Sequence, residues 1–227
     1  WLSPDQVFSD DGKKFFVKNK PSEKVIVGPS ESMSKSKKNT IDPEQMIKAY
    51  GADAVRLFIL SDSPPEKDIQ WSETGMTSAF KFIQKFWLLA EEIINLSKKE
   101  TDKLQNEEIE IFTNQAIDKI NTALEKFRYN VIIAVFHEIF NFFNKVSENK
   151  KNYKNLKENY SKILTVMSPV IPHLVNECLT KITSENFEWP KVKKEFLEKD
   201  EKEIVIQVNG KKRGNIIVNK KAEENEI

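Results

Sequence analysis

Cysteine is almost absent from this 227-residue chain: Cys178 stands alone, so no internal disulfide can form and a reducing cytoplasm is the simplest setting. Histidine is nearly as scarce. His137 and His173 lie 36 positions apart, and with a single cysteine they leave no Cys/His cluster for a metal. Arginine occurs only at Arg56, Arg128 and Arg213, a skew we attribute to an A+T-rich coding sequence rather than to function. The formal net charge is +1, so no global field attracts nucleic acid, and any such binding has to come from local patches. There is no long apolar run: residues 131–136 form the longest, far short of a bilayer span, and the first residues lack the pattern of a secretory signal. Six glycines form no phosphate loop, and no nucleophile–base pair stands out.

What is present is concentrated in one stretch, Ser32-Met33-Ser34-Lys35-Ser36-Lys37-Lys38-Asn39, which follows a Gly28-Pro29 break. It ends where Asp42-Pro43-Glu44-Gln45 opens a helix, with Asp42 as cap, Pro43 at the first position and Gln45 where a capping-box partner would sit. A cationic, hydroxyl-rich loop feeding a helix start suits polyanionic phosphate. Charge alone reads equally as a solvated lysine loop.

Around this loop the chain is mainly helical. Residues 1–31 alternate turn signals with short apolar stretches: Ser9-Asp10-Asp11-Gly12 is a turn, and Phe15-Phe16-Val17 and Val25-Ile26-Val27 read as strands. Residues 43–60 give two short helices split at Gly51, the second too apolar at Val55, Leu57, Phe58, Ile59 and Leu60 to lie on the surface. Arg56 among them is either held by a carboxylate such as Asp53 or positions the loop. Helical periodicity then runs over 72–95, 108–128, 130–147, 155–168 and 172–182, with Phe82, Phe86 and Leu89 on one stripe and Phe127 closing another. Lys81 and Lys85, four apart, share a face. Short polar breaks between amphipathic helices predict an antiparallel bundle, with the aromatic stripes as its core. Residues 191–202 read as a charged linker. Ile204 to Val208 and Gly214 to Val218 then read as two strands around an Asn209-Gly210 hairpin turn.

The order of residues adds more than charge does. Met33-Ser34-Lys35-Ser36-Lys37 resembles the Lys-Met-Ser-Lys-Ser signature of class I aminoacyl-tRNA synthetases. Asn39 to Pro43, Tyr50 to Phe58 and Trp71-Ser72-Glu73 resemble its continuation in the leucine, valine and isoleucine branch. Pro172-His173-Leu174 and Trp189-Pro190 recur at the spacing of that branch's helical domain. Trp1-Leu2-Ser3-Pro4-Asp5 and Val208-Asn209-Gly210-Lys211-Lys212-Arg213 point to leucine, so the chain is similar to the C-terminal portion of the bacterial leucyl-tRNA synthetase family.

That resemblance implies four divisions: the end of a leucine-specific insertion as a small β element at 1–31, the signature loop and a stem-contact α segment at 32–70, a helical tRNA-binding bundle at 71–190, and a linker with the truncated start of a C-terminal domain at 191–227. It implies Lys35 as the catalytic lysine, Ser34, Lys35 and Ser36 as ATP-binding, and Lys81 and Lys85 as tRNA-binding, with no protein-held metal. Ser32 stands where the family has its first signature lysine, and Lys37 and Lys38 are the available substitutes. The expected partners are tRNA(Leu), leucine and Mg²⁺-ATP, with no membrane and a monomeric enzyme. A His-Ile-Gly-His signature, which the family also requires, is not in this sequence, so the 227 residues are expected to be inactive alone, a piece of a longer protein. A valyl- or isoleucyl-type fragment and a non-catalytic RNA-binding helical module remain as alternatives.

Overall fold

The computed structural model describes residues 1–3, 6–61, 63–100, 105–182, 188–197, 201–208 and 211–219. Three short antiparallel strands come first, β1 (Val7–Phe8), β2 (Phe15–Val17) and β3 (Lys20–Val25), in that spatial order. The Ser9 to Gly12 turn forms as its composition predicts: the Asp11 carboxylate accepts from the Lys13 and Lys14 amides at 2.9 and 2.8 Å. These bonds hold its carboxyl below the ordinary aspartate value. Gly12 sits at φ 67°, a conformation that favours glycine.

The third strand is not where its apolar residues suggested. Lys20 already pairs with Val17, and by Val25 the register has reached Phe15, the first residue of β2. Ile26 and Val27 therefore pass the end of their partner and are 94% and 65% exposed.

The helices follow in sequence: α1 (Pro43–Tyr50), α2 (Ala52–Ser61), α3 (Glu73–Ser97), α4 (Glu107–Glu125), α5 (Tyr129–Glu148), α6 (Leu156–Met167) and α7 (Pro172–Ile182). Asp42 caps α1 by accepting from the Glu44 amide at 3.0 Å, and Gly51, at φ 81°, closes it through its amide to the Ile47 carbonyl at 2.9 Å. Ser72 caps α3. Gly75 on the next turn is required by packing, because a Cβ there would lie 2.7 Å from the Phe58 ring of α2.

α3 lies against α2, α5 and α7, while α4 packs on α5 and α6, giving the antiparallel bundle the periodicity predicts. Its core is built from Met76, Phe86, Ile93, Ile120, Phe136 and Phe143, all buried completely. Three apolar residues assigned to that interior are outside it. Ile59 is 44% and Val131 41% exposed, because each faces away from its helix's packed side. Phe127 is 63% exposed because α4 stops at Glu125 and the chain reverses through Phe127 at φ 52°. The Arg128 amide, bonded to the Ala123 carbonyl at 2.8 Å, closes that end.

Residues 191–197, read from their charge as linker, form a strap along α4 instead. Trp189 Nε1 donates to Asn121 Oδ1 at 2.9 Å, and the Lys193 amide donates to Asn114 Oδ1 at 2.8 Å. Lys193 Nζ also pairs with Glu110 at 2.8 Å, holding that carboxyl below its ordinary value. Val192 adds an apolar contact with the core, but a segment this short and charged leaves no helical or strand period to read. Beyond it, β4 (Glu201–Val208) and β5 (Lys211–Asn219) pair antiparallel with a bulge at Ile206 and Gln207. The Asn209-Gly210 turn expected between them lies outside the described residues.

Candidate functional site

The signature loop is closed by one side chain. Asn39 Oδ1 accepts from the Ser34 amide at 2.7 Å, and its Nδ2 donates to the Ser32 carbonyl at 3.3 Å. Between these ties the backbone makes a single 3₁₀ turn, Lys35–Lys37, ended by Lys38 at φ 55°. The Ser34 and Ser36 hydroxyls lie 2.8 Å apart and face each other across the turn. Met33 is half exposed.

The lysines of this loop divide by what holds them. Lys37 pairs with Glu31, and its ammonium lies 5.9 Å from the Trp1 ring. Lys35 and Lys38 are exposed and form no ion pair with any described residue. Of the two lysines available in place of Ser32, Lys37 is thus already paired, and Lys38 is the one left with its charge unpaired. A groove of about 580 Å³ opens beside the loop, lined by Trp1, Val7, Phe15, Val27, Lys38 and Asn39. Two unpaired ammonium groups and two adjacent hydroxyls on one short turn suit a multiply charged phosphate.

Along α3, Phe82, Phe86 and Leu89 are buried, and Thr74, Ser78, Lys81, Lys85 and Leu88 form an exposed stripe along one flank of that buried face. Lys81 and Lys85 have no carboxylate partner among the described residues. The next lysine toward this helix, Lys181, is occupied: its ammonium lies 4.1 Å over the Trp87 ring and 3.4 Å from Glu91.

The single cysteine, Cys178, is committed to the interior. Burial pushes the Cys178 thiol up to about 11, which keeps it protonated and unreactive at neutral pH. His137 lies against the Phe82 ring at 4.4 Å, and burial lowers its pKa. Among the described residues no group of three or more His, Cys, Asp or Glu side chains is placed to hold a metal ion. No helix among them is long and apolar enough to cross a membrane.

Three residues that matter to this geometry were not legible as such. Asn39 belongs to the stretch resembling the family's continuation, but nothing in its spacing shows that it closes the loop. Spacing offers Asp53 as a partner for Arg56, beside a role for Arg56 in positioning the loop, yet each reaches 113 or more positions along the chain. Asp53, only 7% exposed, accepts from the His173 and Leu174 amides at 3.3 and 2.7 Å. Arg56 donates to the Pro169 and Val170 carbonyls at 2.7 and 2.9 Å. A signal did exist: α7 begins Ile171-Pro172 with no Ser, Thr, Asp or Asn in front of it, so its cap had to come from another element.

Comparison with known proteins places this architecture in a class. The model of the anticodon-binding domain of tRNA ligase matches residues 106–227, more than half of the sequence, and the chain belongs to that family. Residues 24–72, which carry the signature loop, match the model of class I tRNA synthetases for I, L, M and V. Individual relatives are narrower: the chain is 37% identical over 232 residues to the leucine–tRNA ligase of Rickettsia bellii, covering all of this chain and 27% of the relative. With the leucine–tRNA ligase of Zymomonas mobilis it shares 34% over 222 residues, 96% of this chain and 25% of the relative. It therefore spans about a quarter of the length of these curated relatives. Among solved structures, LeuRS of Agrobacterium radiobacter K84, crystallised as a ternary complex with tRNA and LeuAMS, superposes with a TM-score of 0.70 at 22% identity. That match covers 86% of this chain and 26% of the other, and it establishes a shared fold.

Proposed function

We propose that this chain is the phosphate-loop and RNA-docking portion of a leucine–tRNA ligase. It would work in the cytoplasm as a monomer, joining leucine to tRNA(Leu) through leucyl-adenylate. The observation that carries the reading is Lys35: an exposed, unpaired ammonium at the second lysine of the signature, in a chain similar along its whole length to leucine–tRNA ligases. In the activation step the leucine carboxylate attacks the α-phosphorus of ATP and the bond to the β-phosphate oxygen breaks. Negative charge then grows on departing pyrophosphate, and Lys35 is placed to stabilise it more in the transition state than before it. The Ser34 and Ser36 hydroxyls add donors to the same phosphates, while Asn39 keeps the turn that presents all three. Mg²⁺ would arrive with the nucleotide and shield its phosphate oxygens. The four divisions of the chain at 1–31, 32–70, 71–190 and 191–227 belong to the same proposal.

Lys81 and Lys85 serve the second half of the task. On the exposed stripe of α3, each can neutralise about one phosphate of a docked RNA. Replacing both by glutamine in the full-length protein should weaken tRNA binding and flatten its salt dependence by roughly one to two units of log–log slope. Leucine-dependent ATP–pyrophosphate exchange without tRNA should not change. A double variant with the wild-type salt slope would return these lysines to an ordinary solvated face.

A further inference from the structure

α2 carries, one turn apart, an acid and a base that ignore each other and grip the two sides of one distant turn. Asp53 takes the donor side. Its carboxylate accepts the first free amides of α7, those of His173 and Leu174, and lies 2.9 Å from His173 Nδ1. Arg56 takes the acceptor side, the Pro169 and Val170 carbonyls of the turn that follows α6. The acid thus meets the N-terminal end of α7, the favourable sense for that helix's dipole. The turn at residues 169–174 is clamped on α2 by side-chain bonds at both of its ends.

The other end of α2 leads straight to the signature loop. Gly51 alone separates α2 from α1, whose cap is Asp42, three residues after the Asn39 that closes the loop. We propose that Asp53 and Arg56 are positioning residues: their latch on residues 169–174 fixes the angle between the helices supporting the Lys35 loop and the bundle that docks RNA. The inference rests on the ligase reading above and adds to it a residue pair that touches neither nucleotide nor RNA. Local stability alone would be served equally by an Asp53–Arg56 ion pair on the surface of α2. The geometry instead spends both groups across the junction between the stretch matching the synthetase model, 24–72, and that matching the anticodon-binding model, 106–227.

The test uses the full-length protein with Arg56→Gln, Asp53→Asn and the conservative Arg56→Lys. A latch that sets orientation predicts three results for Arg56→Gln and Asp53→Asn. Leucine-dependent ATP–pyrophosphate exchange without tRNA stays within about twofold, as does tRNA affinity. The kcat of tRNA charging falls by on the order of ten- to a hundredfold, the scale of an ångström of misplacement, with KM for tRNA unchanged. Arg56→Lys, which keeps a cationic donor for one carbonyl, recovers part of the loss. Unchanged charging in both glutamine and asparagine variants would overturn the proposal. So would a parallel fall of exchange, affinity and unfolding midpoint, because the pair would then merely hold the fold. Wild-type protein lacking leucine-dependent exchange would instead overturn the ligase reading, and the latch with it.

Discussion

Lys35→Ala in the full-length protein is expected to slow leucine activation by ~10²–10³, the scale of removing one donor from a charge that develops in the transition state. The expectation follows from how the loop distributes its charge. Lys37 is spent on Glu31, and Lys38 lies just past the turn, as its cap in a left-handed conformation. Lys35 is the ammonium within that turn that remains unpaired. Because it would act on departing pyrophosphate, leucine affinity should stay within about twofold while the rate of exchange falls. Activation within twofold of wild type in Lys35→Ala, together with its loss in Lys38→Ala, would move the role to Lys38.

The second large effect concerns the fold that carries the loop. Phe143 is wholly buried where α5 meets α4 and α6, with ring centroids 5.3 Å from Phe142, 6.3 Å from Phe112 and 4.9 Å from Tyr160. Truncating it removes the hub of an aromatic cluster and leaves a cavity, so Phe143→Ala should cost about 3–5 kcal/mol. Against a typical total of about 5–15 kcal/mol, that consumes a large share of the margin. Phe127→Ala deletes the same atoms at a 63% exposed position and should stay within about 0.5 kcal/mol. Urea unfolding followed by helical circular dichroism separates the two. Equal costs at both positions would mean that the core is drawn in the wrong place.

Much of this architecture was legible in the order of residues because its helices bury stripes, and stripes leave a period. Residues 172–182 were read as a helix and form α7 with those bounds. Phe82, Phe86 and Leu89 face the core as their spacing requires. What escaped was everything decided by a partner far along the chain. Ile26 and Val27 have strand-like side chains, but a strand exists only opposite another, and β2 had ended. Residues 191–197 have a linker's charge, but Glu110, Asn114 and Asn121 lie in wait on one side of α4. Arg56 and Asp53 have the spacing of a local ion pair, yet the distant turn at residues 169–174 binds both.

For the loop, the signature motif points to Lys35, and spacing could not say which of the three lysines would be paired. That depended on Glu31, six residues upstream of Lys37, whose only sequence signal is its charge.

The reading stands or falls on amino-acid-dependent ATP–pyrophosphate exchange by the full-length protein, measured with leucine, isoleucine, valine and methionine in turn. Leucine should support exchange, and valine, one methylene smaller, should do so at least ~10-fold less efficiently, since a hydrophobic pocket discriminates that difference by about 10–200-fold. Exchange driven better by valine, isoleucine or methionine, or by none of the four, would contradict it.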